Sequence, residues 1–317
     1  MSDQITHFRR FHYYDYSRGA ALFLTFHLEP RICIFGDITT LGQMVLSPAG
    51  SFLDETIQRE AERNPDSISL KKYQIMPEHL HMRIYLYPKQ REPLKQVGHF
   101  VQNIKRWSTW KISKLGMNIN WQENYHDRIC LSREIIDRVD EYIDQNPLKW
   151  SLMHGNDHAM KTIEPLESPL LSLDEWWAGV GNQQLLSGQY RLLAIRLSRK
   201  LPESAANPIF TQLLALCRNG FIPISTFLSP LEQKFLQVIE HEDIPVIRAI
   251  PEKLKHIYRP TVNETMLFAA KRLLLISLCT TYEKAREYDW NLINERIAQI
   301  ALASGGQNVY FTRECTL

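Results

Sequence analysis

The stretch Met76-Pro77-Glu78-His79-Leu80-His81-Met82-Arg83-Ile84-Tyr85-Leu86 constrains this chain more than any other. Its apolar and β-branched residues read as a β-strand, and Pro88 ends it. Successive strand side chains point to opposite faces, so positions i and i+2 share a face. His79 and His81 therefore project side by side while Leu80 points into a core. Two neutral imidazoles on one face can hold a divalent cation, and a bound cation polarises phosphoryl oxygens. A bare His-x-His is more often two strand histidines with ordinary hydrogen bonds, so the flanking sequence decides.

The flanks carry further motifs. Upstream lie Leu22-Phe23-Leu24-Thr25-Phe26-His27 and Cys33-Ile34-Phe35-Gly36-Asp37-Ile38; downstream lie Trp121-Gln122-Glu123-Asn124-Tyr125-His126-Asp127-Arg128-Ile129 and Glu141-Tyr142-Ile143-Asp144-Gln145-Asn146-Pro147-Leu148-Lys149-Trp150. Together with Met-Pro-Glu-His-Leu-His, this order resembles the His-hydrophobe-His ("HUH") single-tyrosine transposases, in particular the REP-associated tyrosine transposases and related insertion-sequence transposases. The resemblance spans residues 8 to 155. It implies an α+β ferredoxin-like HUH domain over 1–155, with His79 and His81 as metal ligands and Tyr142 as catalytic nucleophile. Related transposases place a polar ligand four residues after that tyrosine, which makes Asn146 the third candidate. Its amide oxygen departs from the stronger carboxylate.

Tyr142 also lies three residues after Val139 and seven after Ile135. That places it on or beside the inward stripe of a helix opened by the N-cap candidate Ser132 and ending before Pro147. A half-buried core tyrosine is the other reading of the same spacing. Upstream helices are expected from Ser47 to Arg63 and from Pro93 to Leu115, with a strand over Ile68 to Met76. The second helix has an apolar stripe of Val97, Phe100, Val101 and Ile104.

Net charge is only +2, but it is unevenly placed. Lys89, Arg91, Lys95, Lys105, Arg106, Lys111 and Lys114 face one acidic residue, Glu92, in that stretch. Lys105, Arg106, Lys111 and Lys114 form a basic face beside the resembled nuclease site, suited to DNA backbone. Arg9 and Arg10 sit in an aromatic, basic segment that either touches single-stranded DNA or packs its rings on the domain. Single-stranded or hairpin DNA is the expected partner, with Mg²⁺ or Mn²⁺ as cofactor; a homodimer is compatible with this reading.

The five cysteines are scattered without a C-x-x-C pair, which signals neither zinc nor a disulfide framework. A reducing cytoplasm is the expected compartment. No run is long and apolar enough to span a bilayer, and no signal-peptide pattern opens the chain.

Residues 156–174, with Pro165 and Ser168-Pro169, lack periodicity and read as a linker. Beyond it, strands over Tyr190–Leu197, Phe221–Leu228, Ile244–Ile250 and Leu273–Leu278 alternate with helices, the last from Tyr282 to Ser304. This rhythm predicts a parallel sheet with helices on both faces over 175–317. Ser198-Arg199, Phe227-Leu228-Ser229-Pro230-Leu231-Glu232 and Arg259-Pro260 resemble the Rossmann-like domain of the DprA and lysine-decarboxylase-like nucleotide-binding proteins. No glycine-rich phosphate loop is present. A nucleotide would lie at the strand carboxyl ends near Ser198, Arg199 and Ser229, where turn capping is the alternative role of all three.

Three functions fit these residues. The first is a metal-dependent single-stranded DNA endonuclease or transposase forming a 5′-phosphotyrosine link through Tyr142. The second is a domesticated DNA-binding protein on that scaffold with little turnover. The third is a nucleotide-binding protein acting through the second domain.

Overall fold

The computed structural model describes residues 14–63, 65–89, 91–155, 159–278 and 290–312. Arg9, Arg10 and the start of the helix expected from Tyr282 lie outside the described residues. The fold is mixed α/β with several sheets, in two compact units, Met1–Ser151 and Leu152–Leu317.

In the first unit, β1 (Ala20–His27) leads through the hairpin β2 (Gly36–Ile38) and β3 (Met44–Leu46) into α1 (Pro48–Arg63). Then come β4 (Ile68–Ile75), β5 (His79–Leu86), α2 (Pro93–Ser113), β6 (His126–Cys130) and α3 (Arg133–His154). The sheet order is β4-β5-β1-β6, and every neighbouring pair is antiparallel. The chain thus runs β-α-β-β-α-β, with β5 inserted between the two strands that α1 connects.

Period-two alternation sorts this sheet into two faces. Leu22, Leu24, Phe26 and Leu28 of β1 and Leu80, Met82, Ile84 and Leu86 of β5 are buried against Leu53 and Ile57 of α1 and Val97, Phe100, Val101 and Ile104 of α2. Gly50 allows the close approach of α1, because a Cβ there would lie 2.0 Å from the Phe35 carbonyl oxygen. α3 packs Val139 and Ile143 against Ala21 and Cys130 on the other face. The sequence places the end of this helix before Pro147, but it continues to His154. Proline removes one i→i−4 hydrogen bond and crowds the preceding turn. Here Pro147 is itself buried, and Leu148 and Trp150 beyond it are half-buried, so packing offsets that loss.

The second unit contains β7 (Trp177–Gly181), β8 (Arg191–Leu197), α4 (Ala206–Arg218), β9 (Phe221–Ser225), α5 (Pro230–His241), β10 (Val246–Ile250), α6 (Val262–Ala269), β11 (Leu273–Leu278), α7 (Trp290–Ala303) and β12 (Gln307–Phe311). The sheet order is β12-β8-β9-β10-β11-β7, parallel except for β7 against β11. Both faces are covered, which explains why β9 and β11 are buried along their whole length. Residues of α4, α5 and α6 pack on one face, and Ile293, Ile297 and Ile300 of α7 on the other. The stretch read as a linker carries the buried side chains Met160, Leu166 and Leu171. Lys161 and Ile163 there form isolated bridges to Ile257 and Gly179. Their apolar spacing matches neither period, so pattern alone reads them as irregular.

Candidate active site

The pairing of β1 with β5 sets Thr25 opposite His81 and His27 opposite His79. All four belong to the sheet face that α3 covers. His79 and His81 are buried, with Nε2 atoms 3.1 Å apart and rings at 80°. The Thr25 hydroxyl lies 2.8 Å from Nδ1 of His81. When that oxygen accepts Nδ1–H, Nε2 of His81 presents its lone pair to the space it shares with His79. Burial pushes the His79 pKa down to about 3 and that of His81 well below its ordinary value. Both rings are therefore neutral near pH 7, the form that ligates metal.

Beside His79 stands Glu78, itself buried and bound 2.7 Å from Arg31. Its carboxylate is 3.8 Å from Nδ1 of His79, a buried nitrogen without a hydrogen-bond partner among the described residues. A carboxylate on the outer nitrogen of a ligating histidine commonly fixes its tautomer and orientation.

α3 brings Tyr142 against His81. Its ring meets His81 edge-on at 5.3 Å and Phe23 at 5.8 Å. Burial raises the phenol pKa, and a side-chain hydrogen bond with Asn146 works against that rise. Asn146 is buried one helical turn along. The helix is held to the sheet by charge: Arg83 Nη2 donates to Asp140 at 2.8 Å, Arg83 Nε also binds that carboxylate, and Lys72 pairs with Asp144. Asp140→Ala would leave a mostly buried guanidinium unpaired. It is expected to lower stability by about 2 kcal/mol, read as a lower urea midpoint.

The donor set can be tested against the implied cation. Nitrogens 3.1 Å apart can share one ion that bonds imidazole at about 2.1 Å. Among the described residues, no three His, Cys, Asp or Glu side chains converge for metal binding. The third protein donor would be the amide oxygen of Asn146. Two imidazoles and an amide form a neutral set, which fits a weakly held Mg²⁺ or Mn²⁺ that keeps several waters. Asn146→Asp adds a charged oxygen at that place. It is expected to tighten Mn²⁺ binding several-fold, measured by calorimetry.

The basic helix face lies elsewhere. α2 packs on the sheet face opposite His79, His81 and Tyr142, so the fold does not gather these two sets of residues together. Lys105 donates to the carbonyls of Gln122 at 2.6 Å and Asn124 at 3.0 Å, and burial lowers its pKa to about 8. Lys111 pairs with Glu55 at 2.8 Å. Lys114 and Arg106 are exposed and lie over the rings of Trp110 and Trp107.

In the second unit, Ser198 follows β8, its N–H donating to the Phe311 carbonyl and its Oγ accepting from Lys200 N–H. Ser229 caps α5, accepting from Glu232 N–H at 3.2 Å, and Arg199 is exposed. The buried Glu232 carboxylate accepts N–H bonds from Leu197 at 2.7 Å, Leu228 at 2.8 Å and Ser229 at 3.0 Å. A carboxylate of the chain itself thus occupies the strand-end, helix-start position where parallel sheets commonly seat an anion. Glu232→Ala strands three amides and is expected to cost about 2–3 kcal/mol, read as a lower melting temperature.

Sequence reasoning did not single out Thr25, Arg31, Arg83 or Asp140. Thr25 reaches His81 through strand register, which the sequence does not state. The Arg83 and Asp140 charges could have been paired only once α3 was known to cross that face.

No protein-family model matches the chain. An uncharacterized protein of Haemophilus influenzae is 24% identical over 159 residues, covering 44% of this chain and 87% of that protein. The solved structure of a REP-associated tyrosine transposase bound to a REP hairpin shares 20% identity and a TM-score of 0.34, covering 46% of this chain and 74% of that one. A candidate transposase from Deinococcus radiodurans R1 shares 15% identity and a TM-score of 0.28, covering 44% of this chain and 97% of that one.

Proposed function

We propose that this chain is a metal-dependent single-stranded DNA endonuclease of the tyrosine transposase type, acting through Tyr142. On this reading the first unit is a ferredoxin-like HUH domain and the second a Rossmann-like domain. The observation that carries it is the contact of the Tyr142 ring, at 5.3 Å, with His81, one of a buried histidine pair whose Nε2 atoms lie 3.1 Å apart.

A divalent cation held by His79, His81 and Asn146 would supply Lewis-acid polarisation of the scissile phosphate. Tyr142 Oη would attack phosphorus, forming the Oη–P bond as the bond from phosphorus to the 3′ oxygen breaks. The phenolic proton leaves, and the 3′ oxygen takes up a proton to become a free hydroxyl. The product is a 5′-phosphotyrosine whose retained ester energy allows a later 3′-hydroxyl to rejoin the strand. Asn146 offsets part of the burial that opposes loss of that proton. Incubation with Mn²⁺ and a labelled single-stranded hairpin library tests the proposal. Label that stays with the protein through denaturing electrophoresis supports it; label that never does so on any strand refutes it.

The raised pKa of Tyr142 favours a second reading. A phenol held protonated suits a DNA-binding protein with little turnover, which would bind the same hairpins without forming the adduct. A nucleotide function for the second unit is less favoured, because Glu232 fills the anion position.

A further inference from the structure

On the sheet face away from the histidines, α1 and α2 leave a cavity of about 180 Å³ lined by Arg59, Glu60 and Arg63 of α1 and Trp107, Trp110 and Lys111 of α2. Its charges divide into two groups. Glu60 is bound by Arg63 and Asn103, and Lys111 by Glu55, so these balance within the protein. Arg59, Arg106 and Lys114 are exposed and form no ion pair among the described residues. The surface therefore carries uncompensated positive charge.

Its aromatic groups are also incompletely used. Trp110 is 50% exposed, a large indole left at the surface. Lys114 Nζ stands 3.5 Å from the centre of that ring and Arg106 lies 4.8 Å from the ring of Trp107. Trp107 Nε1 is a buried donor with no hydrogen-bond partner among the described residues, an arrangement that costs free energy until an acceptor arrives. An indole face, an unused donor and flanking cations match the needs of an unpaired base between two phosphates. Base–aromatic stacking and backbone charge together are how single strands are held without a sequence code.

We infer that this cavity is a base-stacking subsite for single-stranded nucleic acid, with Trp110 as the platform and Arg59, Arg106 and Lys114 on the adjacent phosphates. A base settling on Trp110 displaces Lys114 from the ring face toward the backbone. The inference rests on the nucleic-acid part of the proposed function and not on its chemistry, since the subsite and the histidine pair lie on opposite faces of the sheet.

The test uses full-length protein carrying Tyr142→Phe, so that no cleavage intervenes, and a fluorescent oligothymidylate of about ten nucleotides followed by anisotropy. Trp110→Ala is expected to weaken binding roughly tenfold or more, and Trp110→Phe to keep most of the affinity. Arg59→Ala should reduce the dependence of log affinity on log salt by about 0.7. Binding to a duplex of the same length should be unchanged by Trp110→Ala. Wild-type affinity in Trp110→Ala overturns the subsite, as does an equal loss on the duplex or on polyglutamate, which would mark a general anion surface. Because anisotropy needs no adduct, the subsite can stand where the endonuclease reading fails, and the reverse.

Discussion

Tyr142→Phe is expected to abolish covalent attachment to DNA, lowering adduct formation by roughly 10³-fold or more, as removal of a nucleophile does. The change deletes one oxygen and keeps the ring that packs edge-on against His81 and Phe23. Its cost to stability should stay within about 1 kcal/mol, the worth of one hydrogen bond. Binding of hairpin DNA and of Mn²⁺ should be unchanged. Tyr125 supplies the control. It packs against the core that α1 and α2 form on the opposite face of the sheet, so Tyr125→Phe should form the adduct at the wild-type rate. An adduct of normal yield from Tyr142→Phe would remove the phenol from the chemistry.

His79→Ala and His81→Ala should each cut Mn²⁺-dependent cleavage by about 10²-fold or more, since polarisation of a phosphoryl oxygen is worth several kcal/mol. Calorimetry should show loss of Mn²⁺ binding, while affinity for hairpin DNA changes little. His81→Ala carries the larger structural cost, because it also removes the partner of Thr25. The same burial makes the fold acid-sensitive. The His79 pKa falls from 6.5 in the unfolded chain to about 3 in the fold, so the unfolded chain takes up its proton first. The contribution of a neutral His79 is complete above pH 6.5 and is lost as pH falls toward 3. Urea midpoints measured down that range should fall less steeply in His79→Ala than in the wild type.

Much of the first unit was legible because its elements are amphipathic. The alternation in β5 places His79 and His81 on one face, and the helical stripe of α2 marks its buried side. Less legible was whatever depends on register or crossing. Thr25 meets His81, and Arg83 meets Asp140, through pairings between residues distant in sequence. Pro147 read as a helix end, yet packing on both sides of it carries α3 onward. In the second unit the buried parallel strands stood out as continuous apolar runs. β7 is five residues long with glycines at 179 and 181, and β12 is a half-exposed edge strand, so both lacked that signal. The role of Glu232 was hidden because a capping residue and an anion-site residue look alike in sequence.

The site assignment turns on where DNA becomes attached. Wild-type protein should be incubated with Mn²⁺ and single-stranded hairpin DNA, digested with nuclease and then trypsin, and its peptides weighed. The tryptic peptide from Val139 to Lys149 contains Tyr142 as its one tyrosine, and a 5′-phosphonucleotide is expected on that residue. The same mass on the peptide from Leu115 to Arg128, which contains Tyr125, or no nucleotide on any peptide, would contradict it.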